Sequence, residues 1–279
     1  MEQNVSHVSQ SYRKMTQLEH VYELPDSYVG SVDKQFLTTY VYDSEDDNIT
    51  KRIIEYVPGL YKVYDEIIVN VLDQYVRLLR AHSKHAVTTI KITIDAQKNE
   101  ISVYNNGQGI DIVYLEEYEC YAPDLIFGQL LTSSNYDKNE KKVTGGKNGF
   151  GAKLTNIFSK EFVVETVDHV KKLKYIQKYK NNMKNKQEPE ITAYNNEPFT
   201  KITFIPDLER FSLTHLTDDI ISLMKKRVYD IGAWTRSSVL VSFNEVKIPI
   251  SNLRSYSSLY IGKERNRVHR KFNDNWEVI

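Results

Sequence analysis

Leu60-Tyr-Lys-Val-Tyr-Asp-Glu-Ile-Ile-Val-Asn-Val-Leu-Asp-Gln-Tyr-Val-Arg-Leu-Leu79 is the stretch on which the fold turns. Apolar residues recur at Leu60, Val63, Tyr64, Ile67, Ile68, Val71, Leu72 and Tyr75, the spacing of a helix with one wide buried face. Pro58 and Gly59 punctuate the chain just before it, so the helix begins there. Opposite the apolar face stand Glu66, Asn70 and Asp73, which at about 100° per residue share a stripe about 60° wide. A solvated face is usually rich in Lys and Glu pairs, whereas this one offers a carboxylate, an amide and a second carboxylate over two turns. Such a set can ligate Mg2+ through oxygen and orient a water. On a helix standing alone, an ordinary polar face accounts for these residues equally well.

Working outward, Ile90, Ile92 and Ile94 alternate with polar residues, Gln97 to Asn99 breaks the run, and Ile101 and Val103 resume it, which predicts a β-hairpin. A Gly-containing turn, Asn105 to Gly109, follows, then a helix-like stretch over 124–131 and a polar, Gly-rich loop over 132–151. A second helix is expected near Gly151, running through Ala152, Leu154 and Ile157. Strands are expected at 161–167, 172–179, 200–205 and 239–243, with a helix over 216–234. Upstream, residues 1–16 are polar and without period, and 42–50 reads as an acidic surface loop. Hairpins and helices without regular strand-helix-strand alternation predict an α+β fold, a two-layer sandwich whose mostly antiparallel sheet is covered on one face by helices. The chain stops at Trp276 to Ile279, in what reads as the start of another strand, so a fragment is expected.

Thirty-seven basic side chains balance 37 acidic ones, which excludes bulk attraction to nucleic acid or anionic lipid and leaves only local patches. The 41% hydrophobic content supports a real core. A single cysteine, Cys120, excludes an internal disulfide and a cysteine-built zinc site and favours a reducing compartment. The longest apolar runs are far shorter than a membrane span, and the polar N-terminus is unlike a signal peptide. The sequence reads as a soluble, intracellular protein.

Two Gly-rich elements accompany the long helix. In Asn105-Asn-Gly-Gln-Gly109 the glycines let the backbone approach a flat ligand, and an Asn can pair with the edge of a base. In Gly145-Gly-Lys-Asn-Gly-Phe-Gly-Ala-Lys153, loop amides and a helix start suit phosphate oxygens. Each alone also fits a plain turn or a surface loop. Neither the Gly-x-x-x-x-Gly-Lys-Ser/Thr frame nor the Gly-x-Gly-x-x-Gly frame is present. In this order and spacing the helix stripe, the turn and the loop resemble the N, G1 and G2 boxes of the GHKL ATPases. Thr16-Gln-Leu-Glu-His20, Pro58-Gly-Leu-Tyr-Lys62, Leu125-Ile-Phe-Gly-Gln-Leu-Leu-Thr-Ser-Ser-Asn-Tyr136, Glu140-Lys-Lys-Val-Thr-Gly-Gly146 and Tyr229-Asp-Ile231 narrow the match. From about Tyr12 onward, the chain resembles the ATPase domain of eukaryotic-type DNA topoisomerase II.

That resemblance implies a GHKL ATPase domain over 17–265, preceded by an N-terminal arm over 1–16 and followed by the start of a transducer domain over 266–279. It implies ATP and Mg2+ as cofactors. Glu66 becomes the general base that polarises the attacking water, Asn70 the Mg2+ ligand, and Asp73 a further residue of the ATP site. Asn105 and Thr200 fall on the adenine side, and Ser133, Ser134 and Asn135 on the ribose and phosphates. Gly146, Lys147, Asn148, Gly149, Phe150, Gly151, Ala152 and Lys153 form the phosphate lid, with Lys153 by the terminal phosphates. Tyr12 corresponds to an arm tyrosine that reaches the partner's nucleotide. The family usually has Tyr at Phe150, Lys-Gly-Ile-Pro at Gln108-Gly-Ile-Asp111 and Asp-Asn at Asp73-Gln74. Losing the cation at Gln108 is expected to weaken affinity without abolishing it.

The function so implied is the ATP-operated N-terminal clamp of a type II topoisomerase, with a homodimer partner, double-stranded DNA in the full-length enzyme, and no membrane. A nucleus is the expected compartment in a cellular eukaryote, a host cell or virion in a virus; abundant Tyr and Asn point to an AT-rich genome. In the family, a later domain supplies a Gln-Thr-Lys loop and others cleave DNA, so this chain is expected to bind ATP, hydrolyse it poorly and leave DNA uncut. A MutL-like repair ATPase is one alternative, against which the Gly128-Gln-Leu-Leu-Thr-Ser-Ser-Asn135 string argues, and a chaperone-type nucleotide-binding module without a DNA role is the other. The lysines at 171, 172, 174, 178, 180, 184 and 186 read as a solvated hairpin rather than a DNA-facing rim, for want of interleaved aromatics. His82 and His85 share a helical spacing but no third ligand, and read as surface residues.

Overall fold

The computed structural model describes residues 14–130, 150–263, 265–273 and 276–279. Thr16 opens the first helix, α1 (Gln17–Glu23), with a reciprocal cap: its hydroxyl accepts from the Glu19 amide while the Glu19 carboxylate accepts from the Thr16 amide. Strands β1 (Gln35–Asp43) and β2 (Asn48–Tyr56) form a hairpin by themselves. The long periodic segment is α2 (Pro58–Arg80), with Pro at its first position and Leu60, Val63, Tyr64, Ile67, Ile68, Val71 and Tyr75 buried.

The predicted hairpin is β3 (Thr89–Asp95) and β4 (Glu100–Asn105). After the short pair β5 (Tyr114–Leu115) and β6 (Cys120–Tyr121) come α3 (Ala122–Gly128) and α4 (Gly151–Ile157). Then follow β7 (Ser159–Asp168), β8 (Leu173–Lys180), β9 (Asn185–Lys186), β10 (Glu190–Ala193), β11 (Thr200–Pro206) and α5 (Asp218–Trp234). The chain closes with β12 (Leu240–Phe243), β13 (Val246–Lys247), α6 (Leu253–Ile261), β14 (Arg270–Lys271) and β15 (Glu277–Val278).

Nine strands make the main sheet, in the order β10-β8-β7-β11-β4-β3-β12-β13 with β9 on β8; of these pairs only β12 with β3 is parallel. Alternation divides its faces. Ile90, Ile92, Ile101, Val103, Phe162, Val164, Ile202 and Phe204 are buried with α2, α4 and α5 in one core. The opposite face carries Glu165 between Lys174 and Lys201, at 2.9 and 3.2 Å. The expected one-sided α+β sandwich is thus the architecture found. Among the described residues no helix is long and apolar enough to cross a membrane.

The structure moves three of the expected segments, among them the helix expected over 124–131, which spans Ala122–Gly128. The acidic loop expected over 42–50 occupies only 44–47, because Tyr42 and Ile49 are core residues at the ends of β1 and β2. The Tyr42 ring stacks on Tyr229 of α5, with centroids 4.3 Å apart, and its hydroxyl donates to Asp47 at 2.7 Å. The acidic residues sit in the turn, and their charge hid the strands on either side. The strand expected from 172 starts at Leu173, with Lys172 in the turn at φ 54°. Cys120 is buried, and burial pushes its thiol pKa up.

Candidate functional site

The helix α2, which carries the polar stripe, packs against α4 and β4. Glu66 is half-buried, and its two oxygens have separate surroundings: Oε1 pairs with the Lys62 ammonium one turn earlier, and Oε2 faces α4. A Cβ built on Gly151 would lie 2.2 Å from Oε2, so a larger first residue of α4 would displace the end of the Glu66 side chain. The Thr155 hydroxyl on α4 donates to the Val63 carbonyl of α2 at 2.8 Å, and Asn156 donates to the Phe127 carbonyl at 3.0 Å. Both are fully buried, so α4 is fastened over the carboxylate by polar bonds inside the core.

Lys153, on the same short helix, is 1% exposed, and burial pushes its ammonium down to about 8. Ala152 is buried beside it, while Phe150 is half-buried with its ring 6.2 Å from Tyr28.

Twelve residues beyond Glu66, Leu78 of α2 touches the turn after β4: a Cβ on Gly107 would meet Leu78 and Val87 side chains at 3.0 and 2.9 Å. At the rise of a helix this contact lies about 18 Å along the axis from Glu66. Asn70 and Asp73 lie between the two ends. Asn70 is exposed and Asp73 half-buried.

At the far end Asn105 is 4% exposed, its side-chain oxygen accepting from the Gly107 amide at 3.1 Å. Register sets it opposite Thr200 of β11, which in turn pairs with Thr166 of β7. The Thr166 hydroxyl oxygen accepts from the Ile110 amide at 3.0 Å and lies 3.2 Å from the Phe199 carbonyl and 3.0 Å from the Thr200 hydroxyl. With its one proton given to Phe199, Thr166 accepts from Thr200, which leaves the Thr200 oxygen free to accept. Gly109 closes this end at φ 81°, where a Cβ would fall 1.9 Å from the Val167 carbonyl.

Of the residues the sequence nominated, Glu66, Gly151, Ala152 and Lys153 gather at one end, Asn105 and Thr200 at the other, and Asn70 and Asp73 between. Tyr12, Ser133, Ser134, Asn135, Gly146, Lys147, Asn148 and Gly149 lie outside the described residues. Lys62 and Thr166 were missed. The four-residue step from Lys62 to Glu66 was a readable signal; Thr166 joins the site only through strand pairing.

Most of the basic run is engaged. Lys174, Lys180 and Lys186 pair with Glu165, Glu161 and Asp124, Lys171 donates to the Ile112 carbonyl, and Lys184 lies over the Tyr22 ring. That agrees with a solvated hairpin.

Residues 56–209 match the family described as histidine kinase-, DNA gyrase B-, and HSP90-like ATPase. The chain is 45% identical to DNA topoisomerase 2 of Pisum sativum over 97% of its own length and 18% of that protein. It is 45% identical to the DNA topoisomerase 2 of Acanthamoeba polyphaga mimivirus over 92% of its length and 20% of that protein. This chain therefore spans about a fifth of these relatives. The crystal structure of the ATPase region of Saccharomyces cerevisiae topoisomerase II superposes with a TM-score of 0.90 at 43% identity, covering 96% of this chain and 70% of that one.

Proposed function

The chain belongs to the histidine kinase-, DNA gyrase B- and HSP90-like ATPases, within them to the ATPase region of DNA topoisomerase II, and from that premise we propose that it is the ATP-operated clamp of a type II topoisomerase. ATP binding joins two copies around a DNA duplex, and hydrolysis resets the gate. The protein works inside the cell, in the nucleus of a cellular eukaryote or in the host-cell or virion compartment of a virus.

The observation that carries this reading is the missing Cβ of Gly151 against Oε2 of Glu66. A general base has to reach a water next to a phosphorus atom, and the glycine lets a phosphate-binding segment come close to the carboxylate without turning it aside. Lys62 holds the other oxygen and fixes the group's orientation. Glu66 then takes the proton of a water held at Oε2. Lys153 brings a positive charge to the terminal phosphates, and Ser133, Ser134, Asn135 and residues 146–149 complete the ribose and phosphate contacts.

The base lies at the other end. A purine amine donates to the free lone pair of Thr200, and the ring lies over the Gly107 to Gly109 turn by Asn105. The distance of about 18 Å between the two ends suits an extended nucleoside triphosphate. For Mg2+ the donor set fits, since Asn70 is exposed, has no hydrogen-bond partner among the described residues and carries a hard amide oxygen. Asn70 would hold the ion, which would supply charge neutralisation at the phosphates, and Asp73 lies one turn further toward the base.

Titration of the chain with a non-hydrolysable ATP analogue in Mg2+ tests this. Saturable binding that Asn70→Ala and Thr200→Val weaken supports the reading, and binding indifferent to both overturns it.

A further inference from the structure

The turn between β1 and β2 carries a serine for which the nucleotide site has no use. Ser44 opens that turn, and residues 44–47 are all exposed. Its hydroxyl oxygen accepts from the Lys225 ammonium of α5 at 3.1 Å. The rest of the turn is held in shape by its own bonds. The Asp43 carboxylate accepts from the Glu45 amide at 3.0 Å, and the Asp47 carboxylate from the Tyr42 hydroxyl at 2.7 Å. Ser44 is thus an accessible hydroxyl at a fixed place on a hairpin that pairs with no other strand.

Lys225 differs from the cations beside it. Lys226 pairs with Asp230 at 3.0 Å and Arg227 with Asp65 at 2.7 Å, whereas Lys225 forms no ion pair among the described residues. Its ammonium lies 4.3 Å from the centroid of the Tyr42 ring and 5.6 Å from that of Phe243 on β12, half-buried between the hairpin and the main sheet. Burial pushes its pKa down, and the Asp47 charge opposes that only in part. A half-buried cation that meets two rings and one neutral hydroxyl is short of a counter-charge. A phosphate on Ser44 brings about 1.5 to 2 negative charges and three acceptor oxygens to that ammonium.

We propose that Ser44 is a phosphorylation site, with ATP as the phosphoryl donor and an acid-directed Ser/Thr kinase as the enzyme, and that Lys225 receives the phosphate. The Ser44 Oγ attacks the γ-phosphorus of ATP while the bond from that phosphorus to the β-phosphate oxygen breaks; ADP leaves, and the hydroxyl proton passes to the kinase's base. The chain's own nucleotide pocket takes no part in the transfer. Glu45, Asp46 and Asp47, at the three positions after the serine, give a negative pattern that a basic substrate groove reads. The same acids repel the phosphate once it is in place, but they stand in solvent, which screens them, while the half-buried Lys225 is screened less. A charge-assisted bond then fastens the tip of the hairpin to α5.

The test treats the whole chain with a recombinant acid-directed Ser/Thr kinase and ATP beside a kinase-free control, locates phosphate by mass spectrometry, and follows the product by phosphorus NMR and thermal melting. The expected result is one phosphate on Ser44, none on that turn in Ser44→Ala, and a melting temperature about 2–4 °C above that of the unmodified chain. The second ionisation of the phosphate is expected about half a pH unit or more to the acid side of that in Lys225→Gln. If Lys225→Gln does not fold, the melting temperatures of the modified and unmodified parent decide. An unmodified Ser44, a melting temperature that stays level or falls on modification, or the same ionisation with and without Lys225 overturns the proposal.

Discussion

The Oε2 atom of Glu66 occupies the space a Cβ on Gly151 would need, 2.2 Å from its ideal position. Gly151→Ala therefore has to move either the carboxylate or the start of α4. Because Thr155 and Asn156 anchor α4 in the core, the carboxylate is what gives way. ATP turnover in the full-length protein is expected to fall at least about tenfold, with the melting temperature nearly unchanged, because misplacing a base is costly. Steady-state ATPase rates beside a thermal melt check this.

Glu66→Gln keeps the size of the side chain and removes the base. The expected outcome is a loss of about 10²–10⁴ in kcat with analogue affinity within about threefold of the parent. A parallel fall in affinity would show that Glu66 serves binding instead.

How much of this was legible beforehand differs from residue to residue. The period of α2 gave both its buried face and the Glu66, Asn70 and Asp73 stripe, since helical geometry alone fixes which side chains share a face. Thr200 could be nominated only by resemblance, because its place beside Asn105 depends on the register of two strands nearly a hundred residues apart. Thr166 was invisible for the same reason. The β1–β2 hairpin was obscured by the acidic turn at 44–47, while α1 and α6 are too short for periodicity to stand out.

Thr166→Val removes the acceptor that orients the Thr200 hydroxyl. Thr200 then turns its proton toward the pocket, where a purine amine also needs an acceptor. The affinity for ATP is expected to drop about fivefold to tenfold while kcat stays constant, because the base makes the same contact in ground and transition states. A KM measurement for ATP against GTP separates this from general damage.

Lys153 couples binding to protons. Its folded-state pKa is about 8, against 10.5 for an ordinary lysine, so above pH 8 the folded chain holds fewer protons than the unfolded one. Stability contributed by this group therefore rises between about pH 8 and 10.5, as the charge that burial penalises is given up. Phosphates placed beside the ammonium raise the pKa again, so ATP binding at pH 8.5 to 9 is expected to take up as much as one proton. Calorimetry in buffers of different ionisation enthalpy reads that uptake, and Lys153→Met should abolish it.

Asp207 ties the first helix to the body of the domain. Burial raises its pKa, but hydrogen bonds from Lys160, Asn182 and Tyr22 outweigh that and hold it below the usual carboxylate value. Its contribution is present above the ordinary Asp range and is lost as the pH falls through the lowered folded value. Asp207→Ala is expected to cost about 1–3 kcal/mol, chiefly from the buried donors left unpaired, and to loosen α1. Urea melts at pH 7 and pH 3, with amide exchange over Gln17–Glu23, would show both effects.

The burial of Cys120 has a practical corollary. The chain has one thiol, and it is shut away from reagents with its ionisation suppressed. A cysteine introduced on the surface would therefore be the sole site open to a maleimide dye or spin label. Distances between probes on two copies could be followed as nucleotide is added without first mutating the native sulfur away.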